Sequence, residues 1–404
     1  MEPTAQSLAL AVEQLHRAGR SDDAFALALE AAQRFPQSSL AQTNLGYFYL
    51  QRGEPAPALE AYESALRANP DNAEARRGLA VAKMQCGIAA QGDSITVVPF
   101  RGSGAAIDVL VPITLGSGNV VTDNLFDDRV FRVTKLAVEL HPRDAGLPAH
   151  DVAFNAIGDA DSSAEALEIA RGLLATSKRR VLNDPVRVAR TGRAGQAQRL
   201  RSVEAVVVPN IERVQRSRAA GLALPVLLRS PGYHAGEHFA LVSDADQLEP
   251  AVRALPGETL FAIEFVDTRD QLGVFAKYRV MVVDGALYPL HLALSREWKV
   301  HYFSAEMATQ EQYRQREARF LSEPRKTLGE RAWSALRRIV DALDLDYAGI
   351  DFALDAEGRV VLFETNATMA VRYPPGEEMW SYRRGAVDAV LDAVRAMLVR
   401  YSST

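Results

Sequence analysis

Asp346-Tyr347-Ala348-Gly349-Ile350-Asp351-Phe352-Ala353-Leu354-Asp355-Ala356-Glu357-Gly358-Arg359-Val360-Val361-Leu362-Phe363-Glu364-Thr365-Asn366 is two strand-forming runs joined at Glu357-Gly358. An acid followed by glycine between apolar runs is a hairpin signal. An even-length loop centred there sets Asp351 directly opposite Glu364. Their side chains then share one face, about 5 Å apart at Cβ. Asn366 follows two residues later on that face, and Ile350, Phe352, Val361 and Phe363 are expected on the other. Two carboxylates held opposite each other cost stability unless a cation lies between them. Oxygen donors without His or Cys select Mg²⁺ or Mn²⁺, which keep water and bind through substrate phosphates. The bland alternative is a surface hairpin with incidental acids.

Gly349-Ile350-Asp351-Phe352 followed by Phe363-Glu364-Thr365-Asn366 resembles the metal-binding signature of ATP-grasp carboxylate–amine ligases, and the likeness extends over roughly residues 94–400. The resemblance implies an α/β pre-grasp domain (94–192) and an α+β ATP-grasp domain (193–404) of two lobes with a hinge near 261–267. It implies ATP and Mg²⁺ (or Mn²⁺) as cofactors, with Asp351, Glu364 and Asn366 as metal ligands. Val181-Leu182-Asn183-Asp184-Pro185, Arg193 and Val207-Val208-Pro209 are similar to the start of the first lobe. Leu224-Pro225-Val226-Leu227-Leu228-Arg229 is similar to the strand that carries the nucleotide-binding lysine, so both family lysines are arginines here, Arg193 and Arg229. Arginine is a permanently charged fork that suits phosphate, but it is not a neutral exchange for lysine.

Further along, Phe261-Ala262-Ile263-Glu264-Phe265-Val266-Asp267 resembles the interlobe strand that meets the adenosine, which implies nucleotide roles for Glu264, Phe265 and Asp267. Lys277-Tyr278-Arg279-Val280-Met281-Val282-Val283 resembles the hairpin whose arginine approaches the transferred phosphate; Arg279 is that position, and with Arg229 it is the expected catalytic pair. Arg296 and Arg372 are candidate carboxylate contacts, with Lys299 and His301 adding positive charge nearby. Asn155 and Asp159 leave the C-terminal end of the strand at 152–157, where open α/β sheets place ligands, and are candidate amine contacts. The chain departs from the family in its phosphate loop, which contains His234-Ala235-Gly236-Glu237-His238, and after Asn366, where the usual Pro-Gly is missing.

From Ser7 to about Cys86 the sequence is rich in Ala and Leu at helical spacing. Leu45, Gly46, Tyr49, Ala58, Tyr62, Ala65 and Pro70 fit the 34-residue tetratricopeptide pattern, and Ala24, Ala31 and Pro36 precede Ala58, Ala65 and Pro70 by that period. This segment resembles tetratricopeptide (TPR) repeats: two over roughly 5–38 and 39–72, then a capping helix over 73–84, in a domain of residues 1–88. The expected fold is therefore multidomain, all-α repeats followed by α/β and α+β domains.

Composition narrows the partners. With 46 Lys and Arg against 51 Asp and Glu the net charge is −5, so no global positive field exists to hold nucleic acid. Cys86 is the only cysteine, which excludes an intrachain disulfide. Without a basic-plus-apolar leader or an 18-residue apolar run, the expectation is a cytoplasmic protein with no membrane partner. The resemblance implies an ADP-forming ligase that joins a small-molecule or peptide carboxylate to an amine through an acyl phosphate, with the repeats recruiting a peptide, carrier or protein partner; a homodimer is compatible with it. One alternative is a catalytically degenerate nucleotide-binding TPR protein. A lesser one is a zinc hydrolase using His234, Glu237 and His238, which match H-x-x-E-H. That motif needs a helix, whereas Ser230-Pro231-Gly232 and Gly236 favour a loop.

Overall fold

The computed structural model describes residues 4–17, 20–86, 94–122, 124–230, 238–300, 306–374, 376 and 378–403. The chain divides into two compact units: residues 1–97, 113–116 and 135–146 form one, and 98–112, 117–134 and 147–404 the other.

The first unit begins with five helices: α1 (Ala5–Arg17), α2 (Ser21–Arg34), α3 (Ser39–Gln51), α4 (Pro55–Ala68) and α5 (Ala73–Gln85). Local chemistry sets their ends. Ser38 caps α3 by accepting from the Ala41 N–H, Pro55 opens α4 where no donor is needed, and Gly53 takes φ +72° in the turn between them. Asn72 accepts from the N–H groups of Glu74 and Ala75 to start α5, while its amide nitrogen donates to Ser39 and Thr43 of α3. Small residues then let the helices meet. Ala58, Ala65, Ala75 and Ala82 are buried around Tyr62, and Val12, Ala24, Ala28 and Phe48 form the preceding layer. A Cβ on Gly46 would lie 2.9 Å from the Tyr62 ring, and one on Gly78 2.1 Å from it, so one phenol ring fills two glycine notches. The short strand β1 (Ile95–Val97) follows.

The rest of the chain carries three sheets. In the first, β2 (Ile107–Ile113), β3 (Phe131–Ala137), β4 (Val152–Phe154) and β5 (Val181–Leu182) join β1 in the order β1-β3-β2-β4-β5. The β2–β4 and β4–β5 pairs are parallel, and α6 (Ala164–Leu174) makes the crossover with Ala166, Leu167, Ala170, Leu173 and Leu174 buried. Residues 98–106 are irregular and lead into β2. Helices α7 (Pro185–Ala189) and α8 (Arg193–Leu200) and strand β6 (Val206–Val207) lead into a small antiparallel sheet. That sheet comprises β7 (Ile211–Gln215), β8 (Val226–Arg229), β9 (Phe239–Val242) and β10 (Thr259–Glu264), ordered β7-β10-β8-β9. Helix α9 (Ala245–Ala254) contributes Leu248 to its core of Val226, Leu228, Val242 and Leu260.

The third sheet holds β11 (Phe275–Val283), β12 (Ala286–Ser295), β13 (Tyr347–Leu354) and β14 (Val360–Asn366), in the order β12-β11-β13-β14-β6 with β6 parallel to β14. Helices α10 (Glu311–Ser322), α11 (Pro324–Leu343) and α12 (Arg384–Ser402) complete the chain. β13 is buried over seven consecutive residues, Tyr347 to Ala353, so both of its faces are covered. The expected succession of helical repeats and then mixed α/β sheets is the one observed. Among the described residues no helix is long and apolar enough to cross a membrane.

Candidate functional site

The hairpin places Asp351 opposite Glu364 by a route different from the expected one. Leu354 pairs with Val360, so the turn is an odd loop, Asp355–Arg359, rather than an even one. Asp355 organises it by accepting from the N–H groups of Glu357 and Arg359, and Gly358 adopts φ +69°. Near the turn the register is therefore one residue off the expected pairing. A bulge between Asp351 and Phe352 restores it: Phe352 pairs with Leu362, Asp351 with Glu364, and Phe363 is the extra residue. Consequently Leu362 takes the place opposite Phe352, Val361 pairs with Ala353 instead of sharing the Ile350 and Phe352 face, and Phe363 is 47% exposed beside the acids. Gly349, paired with Asn366, lies under Met369, whose Cγ would be 2.2 Å from an added Cβ. Only glycine fits there.

β11 lies on the other side of β13, with Arg279 opposite Asp351. The Arg279 Nε donates to Asp351 Oδ1 at 2.6 Å and Nη2 to Oδ2 at 2.7 Å. Lys277, two residues earlier and so on the same face, brings Nζ to 2.7 Å from Oδ2. Asp351 has no solvent exposure, while both cations keep 22% of their side-chain surface. Burial alone would raise the Asp351 pKa, but Lys277 and Arg279 outweigh it and hold the carboxyl well below the usual range. Behind Arg279 on β12, His291 is buried and its pKa is pushed well down, first by burial and then by the Arg279 charge. Resemblance points to Arg279 and not to Lys277, although their alternate spacing on one strand puts both on the same face.

Glu364 is exposed and accepts from the Asn366 amide nitrogen at 2.8 Å. The Asn366 Oδ1 in turn accepts from the backbone N–H and hydroxyl of Thr368. Expected ligands Asp351, Glu364 and Asn366 thus converge at one end of the hairpin, in unequal settings. As ligands of a divalent cation, Glu364 offers an accessible carboxylate, whereas the Asn366 oxygen is already taken by the two Thr368 donors, one of which would have to turn away. Asp351 fits that role poorly, because each of its oxygens already faces a cation of the chain. Among the described residues no group of three or more His, Cys, Asp and Glu side chains could hold a metal ion.

The remaining candidates are dispersed. Arg229 ends β8, half-buried between Phe261 and Phe239 on neighbouring strands, with its guanidinium 5.9 Å from the Phe239 ring. Arg193 opens α8; its side chain lies outside the described residues. Glu264 ends β10 and accepts from the Asn210 N–H at 3.0 Å. Phe265 packs its ring against Phe275, 6.5 Å between centroids. Asp267 is exposed and clamped by Arg269, which lowers its pKa. Arg296, Lys299 and Arg372 are exposed. Asn155 is fully buried and divides its hydrogen bonds among the backbone of Ile157 and Asn183, while Asp159 caps the N–H groups of Asp161 and Ser162. These are the partners of turn-forming side chains. His234, Glu237 and His301 lie outside the described residues; His238 is described, with φ +45° and its carbonyl accepting from the Ser230 N–H.

A second network, centred on Asp346 and Asn183, has no local signature in the sequence. Asp346 takes a hydrogen bond from Arg180 at 2.8 Å and from the Asn183 N–H at 2.7 Å. Buried Asn183 exchanges side-chain hydrogen bonds with both backbone groups of Tyr347 at 2.8 Å each. This Asn joins the end of β5 to the first residue of β13.

The chain is similar to the solved structure of a RimK domain ATP-grasp protein from Sphaerobacter thermophilus, at 16% identity over 74% of this chain and 100% of the other, with a TM-score of 0.42. It is similar to VanG D-Ala:D-Ser ligase from Enterococcus faecalis (12% identity, 73% and 100% covered, TM-score 0.45). A further similar structure is the ATP-grasp ligase PsnB in complex with precursor peptide PsnA2 and AMPPNP (14% identity, 72% and 97% covered, TM-score 0.41). No curated protein matches the chain by sequence. Residues 41–82, which run from α3 through α4 into α5, match the tetratricopeptide repeat family.

Proposed function

We propose that this protein is an ATP-dependent carboxylate–amine ligase of the ATP-grasp type, with residues 94–192 as a pre-grasp domain, 193–404 as the grasp domain and 1–88 as a TPR domain. The observation that carries the reading is the opposition of Asp351 and Glu364 across β13 and β14, with Asn366 on the same face and Arg279 gripping Asp351 from β11. An exposed acid next to a buried, doubly paired acid has no need to exist in a purely structural hairpin.

In this reading the nucleotide lies between the small antiparallel sheet and the third sheet. Glu264, Phe265 and Asp267 meet the adenosine at the end of β10, and Arg193 and Arg229 hold phosphates. Arg279 spends two of its five N–H donors on Asp351, which leaves three for the transferred phosphoryl group. A divalent cation, Mg²⁺ or Mn²⁺, would be held by Glu364 and Asn366 and would neutralise phosphate charge. Ligation by Asp351 as well requires one of its ion pairs to open. The substrate carboxylate attacks the γ-phosphorus as the bond to ADP breaks; an amine then attacks the acyl carbon, phosphate leaves, and the amine gives up a proton. Positioning and charge neutralisation suffice, so no side-chain nucleophile is required. Arg296 and Arg372, both exposed, are the proposed carboxylate contacts, and Asn155 and Asp159 shape the loop where an amine would approach.

The test is ADP release by the purified protein with ATP and Mg²⁺ across a panel of amino acids, short peptides and dicarboxylates, with Glu364→Ala alongside. Release that needs both an acid and an amine, and that disappears in Glu364→Ala, is the expected outcome. Nucleotide binding without any release would replace the ligase with the nucleotide-binding TPR protein.

A further inference from the structure

Around Asp351 the chain supplies more positive charge than one carboxylate needs. Lys277 and Arg279 both reach it, Nζ at 2.7 Å and the guanidinium at 2.6 and 2.7 Å, and all three groups lie on one face of β11 and β13. Glu364, directly across on β14, has by contrast a neutral amide donating to it, the Asn366 nitrogen at 2.8 Å. Two acids that face each other across a hairpin are thus treated differently. The buried one is held by two cations in contact; the exposed one feels the Arg279 charge at longer range and keeps its surface open to solvent. A dication bound to both acids would sit against the ammonium of Lys277, whose charge repels it at that range.

We infer that the Lys277 ammonium takes the place of one divalent cation, so that the chain holds nucleotide phosphates with a single divalent ion, at Glu364 and Asn366. The inference rests on the nucleotide-binding reading above. Lys277 is a positioning and charge-supplying residue here: tethered to Asp351 through one of its three N–H donors, it turns the other two toward the phosphates. Unlike a metal ion, this charge is present before the nucleotide arrives and is not lost to a chelator.

The experiment titrates Mn²⁺ into the full chain in the presence of a non-hydrolysable ATP analogue and counts bound Mn²⁺ by electron paramagnetic resonance. One tightly bound Mn²⁺ per nucleotide is expected for the unaltered protein and for Lys277→Arg. Lys277→Ser, which removes the charge and opens space beside Asp351, is expected to bind two. Separately, analogue affinity measured in chelator should fall about tenfold or more in Lys277→Ser, the loss of one charge-assisted hydrogen bond. Two Mn²⁺ in the unaltered protein overturn the inference while leaving the nucleotide reading intact, and this count stands even if the serine variant does not fold. An unchanged count in a folded Lys277→Ser also overturns it. Failure of the analogue to bind the unaltered protein removes both readings together.

Discussion

Arg279 meets Asp351 from the neighbouring strand in a two-pronged contact, Nε to Oδ1 at 2.6 Å and Nη2 to Oδ2 at 2.7 Å, while Lys277 takes the remaining approach to Oδ2. Removing the carboxylate leaves two cations facing each other on one strand face. Breaking a buried pair in this way costs about 3–5 kcal/mol, and the residual exposure of both cations puts Asp351→Asn near the lower end. Urea unfolding should show a lower midpoint at unchanged slope. A midpoint equal to that of the parent would mean that the cluster adds nothing to the fold.

Glu364 is exposed on the same hairpin, so its loss should separate function from stability. Glu364→Ala is expected to keep its unfolding free energy within about 0.5 kcal/mol of the parent, the range for surface changes. Thermal melts and the turnover assay on one preparation check this together.

His291 gives the fold a pH dependence of known sign. Its folded-state pKa is far below the ordinary value of about 6.5, so as pH falls below that value the unfolded chain gains a proton that the folded chain refuses. The contribution is complete above about pH 6.5 and is lost as pH falls toward the depressed value, at up to about 1.4 kcal/mol per pH unit. Urea midpoints at pH 7 and pH 5.5 should diverge more for the parent than for His291→Gln. Equal divergence would show that another group carries the titration.

In the repeats, a Cβ on Gly78 would lie 2.1 Å from the Tyr62 ring. Gly78→Ala should therefore destabilise the protein by about 1–3 kcal/mol from overpacking, against a helix-propensity gain of about 1 kcal/mol. Pairing it with Tyr62→Leu, which vacates the ring, should recover part of the loss. Additive losses in a double-mutant cycle would show that the ring is not what excludes the methyl group.

The repeats are proposed to recruit a substrate or partner. Deleting residues 1–88 should then raise KM for the acid or amine substrate more than KM for ATP. Unchanged kinetics with a substrate pair found by the ADP-release panel would end that proposal.

Much of this was legible in the chain itself. Helical spacing and the 34-residue repeat of small residues give α1–α5 because repeats bury only their neighbours, so a local pattern suffices. The opposition of Asp351 and Glu364 was legible too, although the reasoning assumed an even loop, and the odd loop and the bulge offset each other. Neither could be read from letters: Asp355 capping its own loop and Phe363 leaving the ladder depend on which carbonyls remain to be paired. Asn183 and Lys277 were missed for another reason. Asn183 acts on Tyr347, 164 residues away, and no local pattern reports such a partner. Lys277 was visible as an alternate cation on the Arg279 strand, but a lysine at a strand position reads as solvated until its carboxylate is seen.

The bulge at Phe363 separates the hairpin into two parts that can vary independently. On the turn side, alternation is set by the Leu354–Val360 pair and the five-residue loop; on the other, by Asp351 and Glu364. A homologue that gained or lost one residue in the loop could keep its acids facing each other by losing or gaining the bulge, and the only side chain required to move is one already turned to solvent. Loop length in this hairpin is thus a free parameter, and alignments that force a gapless turn here would misplace the acid pair by one position.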